Sequence, residues 1–150
     1  MKYKNFIFLA VGIIITVAYM LFPTEMYEST NLFDAAFMDE MYNAQMYSTI
    51  ASSTAITVWV MAIIYYYVIN SVRFSRWYHW LIMMVAAVLI APSISFYFPY
   101  SEFTEAGKDY MRQLIQFNIL NVVLTILLFI IVSFSVRWWS SNCRHTPIPE

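Results

Sequence analysis

The side chains with the most chemical character lie in one acidic stretch. FDAAFMDEMYNAQMYSTIAS, residues 33–52, holds no Lys or Arg and carries the pairs Met41-Tyr42 and Met46-Tyr47, with Met26-Tyr27 just upstream. Thioethers are soft ligands suited to Cu(I). Met38 and Met41 are three apart and share a helix side, whereas Met46 lies about 500° of rotation beyond Met41 and falls on another face. The segment therefore offers a Met pair rather than a cluster. No Cys is near, and His79 and His145 belong to the opposite side of the orientation derived below. No metal and no cofactor is expected. Phe33, Ala36, Phe37, Met41 and Ala44 recur at helical spacing and make one apolar face, with Asp34, Asp39 and Glu40 mostly off it. Met and Tyr suit an adaptable contact surface. The expected role is docking, carried by Phe33, Phe37, Asp39, Glu40, Met41 and Tyr42.

The second group with chemical potential is uncharged. Asn118, Asn121 and Thr125 follow helical spacing on one face, with Gln113 and Gln116 leading into it; Ser53, Thr54 and Thr57 hold a similar depth on another span. Such residues hydrogen-bond between helices in a bilayer. Asn118, Asn121, Thr125, Ser53 and Thr57 form the expected intramembrane polar face, either as interhelical contacts or as the lining of a pore. Trp59, at mid-span, needs an acceptor for its indole N–H, and span four offers candidates. Ala87, Ala91 and Ser95, each four apart, make a ridge that lets a neighbouring helix approach closely. Pro92 sits in that ridge and should bend the helix by crowding the Val88 carbonyl.

These residues need a scaffold, and composition says which. The chain has 150 residues, 61% hydrophobic and 11% charged, with net charge −1 and mean hydropathy +0.62. Soluble domains carry roughly a quarter charged residues. Lipid is therefore the expected solvent, and no basic surface exists for nucleic acid. One cysteine, Cys143, permits no intrachain disulfide, and two glycines permit no Gly-rich phosphate loop.

Four charge-free apolar stretches each approach the roughly 20 residues that a span needs: 5–22, 50–70, 78–98 and 114–136. The first lacks a small-x-small cleavage pattern before YMLFPTE and reads as an uncleaved signal-anchor. Lys2, Lys4, Arg73, Arg76, Arg137 and Arg144 cluster at one side of this topology, against Lys108 and Arg112 at the other. The positive-inside rule then puts both termini in the cytoplasm and segment 23–49 outside. The tail, 137–150, would keep Cys143 a reduced thiol. Asn31 and Asp34 resemble a helix start, and no Gly or Pro interrupts 32–91. A continuous helix over 32–70 would be about 58 Å long, beyond a bilayer core of about 30 Å. Part of it must project or lie on the surface.

The expected fold is a single all-α membrane domain: four transmembrane helices in an up-down-up-down bundle, with an extra-cytoplasmic helical extension before the second. Intramembrane charge, the usual mark of transport or proton relay, is missing from the spans. No HExxH motif and no His, Asp and Ser set for hydrolysis occurs in them. The expectation is a non-enzymatic subunit of a larger membrane complex, such as a secretion or transport assembly, in the plasma (bacterial inner) membrane. Its partners would be lipid and other membrane subunits, or copies of itself. The alternative is a homo-oligomeric channel lined by the polar face of span four.

Overall fold

The computed structural model describes residues 2–74 and 76–140. Residues 141–150, with Cys143, Arg144 and His145, lie outside the described residues. All described secondary structure is helical: α1 (Lys2–Leu21), α2 (Pro23–Glu28), α3 (Ala35–Asn43), α4 (Met46–Ile63), α5 (Trp77–Glu105) and α6 (Met111–Val136). A π-helical turn, Ile64–Ile69, prolongs α4, and short 3-10 turns occupy Val72–Phe74 and Arg137–Trp139. Four helices are long and apolar enough to cross a bilayer: Tyr3–Leu21, Met46–Ile69, Trp77–Glu105 and Met111–Trp139. They overrun the expected cores at most ends and take in Lys4, Glu102, Glu105, Arg112 and Arg137, because helical hydrogen bonding continues past the strictly apolar residues.

The connections follow local rules with two departures. Pro23 opens α2 at a position where a missing N–H costs nothing. The expected start at Asn31 is displaced. Asn31 has a left-handed backbone (φ 51), and α3 begins at Ala35 after an extended Asp34. The Asp34 carboxylate does not cap the helix; it accepts a hydrogen bond from Gln113 on α6. A single helix over 32–70 does not form either. Gln45 adopts a left-handed conformation (φ 53) between α3 and α4. Its carbonyl there accepts bonds from the Ser48 and Thr49 hydroxyls, at 3.1 and 3.2 Å.

Small residues let the helices approach. Ala51, Ala55 and Ala62 on α4 and Ala87 and Ala91 on α5 are buried, and α4, α5 and α6 all pack on one another. Pro92 and Ser95 are buried on the same side of α5, which continues as helix through Pro92 and Pro99. At the α1–α6 crossing, a Cβ on Gly12 would lie 2.0 Å from Ser135 Oγ and 2.5 Å from Ser135 Cβ. Gly12→Ala should therefore force the helices apart, at about 1–3 kcal/mol by the usual cost of overpacking. Denaturant titration of the micelle-solubilised protein reads that loss; a neutral result would mean that α1 slides freely on α6.

The core falls into two clusters. One gathers Tyr19, Val58, Tyr65, Tyr66, Phe129 and Val132 with their neighbours. The other gathers Tyr27, Phe37, Met41, Tyr47, Phe103 and Phe117. Near the first, the π-turn brings Tyr65 and Tyr67 to backbone acceptors: Tyr65 donates to Phe74 O at 3.1 Å and Tyr67 to Val136 O at 2.6 Å. This end holds Arg73, Arg76 and Arg137. The other end holds most of the acids, with Glu40 on α3 ion-paired to Lys108 in the α5–α6 loop. Both partners are more than a third exposed, so the pair fixes register more than it stabilises.

Candidate functional site

The most organised polar feature lies between the two core clusters, and Asn121 is its centre. Asn121 is fully buried on α6. Its Oδ1 accepts a hydrogen bond from the Tyr27 hydroxyl of α2 at 2.7 Å. Its Nδ2 donates to Ser95 Oγ of α5 at 2.7 Å and, at the 3.5 Å limit, to Thr54 Oγ1 of α4. Tyr19 of α1 reaches the Tyr27 hydroxyl at 2.9 Å. One amide thus ties together a set of groups from five helices.

The direction of each bond follows from the others. Ser95 gives its proton to the Ala91 carbonyl at 2.9 Å, so it can only accept from Asn121. The amide must therefore turn Nδ2 toward Ser95 and Oδ1 toward Tyr27. Tyr27 in turn gives its proton to Asn121, so the Tyr19 hydroxyl donates to Tyr27. Thr125, one turn along α6, returns its proton to the Asn121 carbonyl at 2.7 Å. In a bilayer each unsatisfied polar group costs several kcal/mol; here the buried groups satisfy one another.

Aromatic rings surround the phenol. Tyr27 stacks on Phe117 at 4.5 Å and on Tyr47 at 5.9 Å between centroids. Phe117 also meets Phe33 and Phe37 at 5.7 and 6.4 Å. Each such pair adds about 0.5–1.5 kcal/mol beyond area burial. Burial pushes the Tyr27 phenol well above its ordinary pKa, so it stays neutral at physiological pH. The cluster thus contains donors and acceptors but no ionised group. Its chemistry is that of orientation and cohesion.

The residues singled out from sequence divide. Asn121 and Thr125 belong to the cluster and face the chain's own helices. Asn118 is half-buried at its edge, and its Oδ1 has no hydrogen-bond partner among the described residues. Ser53 and Thr57 bond backward to their own helix, at Ile50 O (3.0 Å) and Ser53 O (2.8 Å); their neighbour Thr54 is the α4 member of the cluster. Ser95, read only as a small ridge residue, is a full hydrogen-bonding member. Tyr19 and Tyr27 were not legible as members, since nothing local signals a partner on α6.

The docking segment is likewise split. Phe33, Phe37 and Met41 are buried in the chain's own aromatic cluster. Asp39 and Tyr42 remain exposed, Tyr42 at 63%; Glu40 holds Lys108. Trp59 finds its acceptor on α1 rather than α6: Nε1 donates to Thr16 Oγ1 at 3.1 Å, while Thr16 donates to Gly12 O at 2.8 Å. Small Gly12 brings α1 close to the bundle, which puts Thr16 within reach first. Trp59→Phe should remove this bond at a cost of about 1 kcal/mol, the usual net worth of one hydrogen bond. A thermal-shift assay in detergent checks it; an unchanged midpoint would make the contact incidental.

Comparison with protein-family models, with curated proteins and with solved structures finds no match to this chain.

Proposed function

We propose that the chain is a non-catalytic integral-membrane subunit of a larger membrane complex, such as a secretion or transport assembly. One observation carries this reading. The buried polar groups at the centre of the bundle are neutral and hydrogen-bond to one another, which suits a rigid structural part better than a site of turnover. Intramembrane charged groups mark transport and catalysis, and the four span cores carry no Asp, Glu, Lys or Arg, with one histidine, His79, at the end of the third.

In this reading the four spans form an up-down-up-down bundle in the plasma (bacterial inner) membrane. Both termini are cytoplasmic, in keeping with the basic residues near their ends. Helices α2 and α3 form the extra-cytoplasmic extension. Docking falls to its exposed rim, where Asp39 and Tyr42 face away from the core. The homo-oligomeric channel receives less support, because Asn121 and Thr125, its expected lining, are fully buried within one chain.

The test is mild-detergent purification of the tagged protein from its native host, followed by mass and composition of the intact particle. Other proteins at fixed ratio are the expected result, with Asp39→Lys and Tyr42→Ala lowering their recovery. A particle made only of this chain overturns the subunit reading and returns attention to conductance.

A further inference from the structure

We propose that the groove where α1 and α4 meet, at the acidic end of the bundle, binds the headgroup of a membrane lipid that carries a primary ammonium. The groove is open, with a volume of about 480 Å³, inside the range of about 300–1,000 Å³ usual for small-molecule sites. Its position selects a lipid. Met20 and Leu21 line one side and are the last residues of the first apolar helix. Tyr47 and Ser48 line the other and stand at the start of the second. The groove thus lies where two spans leave the hydrocarbon, and Leu21, 66% exposed, offers apolar surface to an acyl chain.

Charge selects the headgroup. Segment 23–49 has five acids and no base. Two of the five are engaged: Asp34 accepts from Gln113, and Glu40 pairs with Lys108. Glu25, Glu28 and Asp39 have no ion-pair partner among the described residues. Glu28 is the one at the groove. It follows Thr24, a lining residue, by one turn of α2 and shares its side. Its carboxylate also acts electrostatically on the Tyr47 hydroxyl, without reaching hydrogen-bonding geometry. A carboxylate has about four lone-pair sites, so Glu28 has room for the N–H groups of an ammonium. Tyr42, 63% exposed on the same groove, supplies a ring for a cation–π contact. The side-chain amides of Asn43 and Gln45 supply neutral donors for the headgroup phosphate. A purely anionic headgroup finds no cation here. A quaternary ammonium keeps the charge but has no N–H to give. The inference holds whichever leaflet this end faces, and it does not depend on whether the chain works within a complex.

The experiment is native mass spectrometry of the full chain released from micelles, titrated with lipids of identical acyl chains. Phosphatidylethanolamine should be retained at about a tenth of the concentration that phosphatidylglycerol needs, the ratio that one charge-assisted hydrogen bond supports. Phosphatidylcholine, with the charge but no N–H, should fall between them. Glu28→Gln should abolish the preference, and Glu28→Lys should reverse it in favour of phosphatidylglycerol. Glu28 is only half-buried, so Glu28→Gln should unfold with the parent, and it decides the matter alone should Glu28→Lys fail to fold. Glu105→Gln, at the end of α5 and outside the groove, is the control and should keep the parent preference. Equal retention of phosphatidylethanolamine and phosphatidylglycerol by the parent, an unchanged preference in Glu28→Gln, or the same loss in Glu105→Gln overturns the proposal. Soluble phosphoethanolamine that displaces the lipid at equal concentration would show that the amine is read without its tail, and overturns the assignment to a lipid.

Discussion

Asn121→Leu should be one of the two most destabilising single substitutions in the chain, at about 2–4 kcal/mol. The figure combines lost interhelical bonds, worth about 0.6–2 kcal/mol each in a bilayer, with the penalty for stranding their partners, about 1–3 kcal/mol for a buried polar group. Leucine fills the volume but leaves the Tyr27 hydroxyl without an acceptor and Ser95 and Thr54 without their shared donor. The contrast with Asn118→Leu makes the test specific. Asn118 is three residues away, half-buried, and its Oδ1 bonds to nothing among the described residues. Its replacement removes a buried, unbonded oxygen and strands no partner of it, so it should be within about 0.5 kcal/mol of neutral or mildly stabilising. Denaturant titration in mixed micelles reads both. Equal costs at the two positions would mean that the cluster contributes no more than an ordinary polar residue. A second check removes both ends of a bond: Tyr27→Phe added to Asn121→Leu should recover part of the loss, since a deleted pair costs less than a stranded partner.

Phe117→Ala should cost as much or more, about 3–5 kcal/mol, the range for deleting a large buried aromatic. Phe117 is 1% exposed and touches the rings of Tyr27, Phe33, Phe37 and Tyr47. Those rings come from α2, the α2–α3 connection, α3 and α4, so one side chain of α6 is the common wall for the acidic end. The loss should be local before it is global. Limited proteolysis should cut Phe117→Ala between residues 23 and 45 at denaturant concentrations where the four long helices still resist. Cleavage that begins instead in the long helices would show that α2 and α3 are not the part Phe117 holds.

How much of this was legible follows from what a sequence records. The four long helices were, because charge is kept out of their apolar cores and hydropathy is summed over about 20 residues, so single exceptions do not matter. The ends were less so, since Tyr, Ser and Thr at an interface continue a helix without making it more apolar. The break at Gln45 left no trace: a left-handed turn there uses neither Gly nor Pro. Periodicity found the apolar side of α3, yet periodicity does not say whether such a side is covered by a partner or by the chain's own α6. Asn121 and Thr125 were legible as a pair one turn apart. Asn118 shares their side of α6, about 60° from Asn121 and 20° from Thr125 at 100° per residue, yet it is only half-buried, so periodicity alone could not separate it from them. Among Ser53, Thr54 and Thr57, rotations of about 100° and 60° separate Thr54, the member of the cluster, from Ser53 and Thr57, whose hydroxyls bond to their own helix. Tyr27 was beyond reach, since its acceptor lies 94 positions away and no local pattern encodes that distance.

That separation has a consequence for how the protein is made. A ribosome delivers α2, α4 and α5 before α6, so the Tyr27, Thr54 and Ser95 side chains reach the membrane while their shared partner is still unsynthesised. Until residue 121 emerges, the first three long helices hold polar groups with nothing central to bind. A nascent chain halted after α5 can still bond Ser95 to the Ala91 carbonyl and Tyr19 to Tyr27, but the amide that joins these pairs across the helices arrives only with α6.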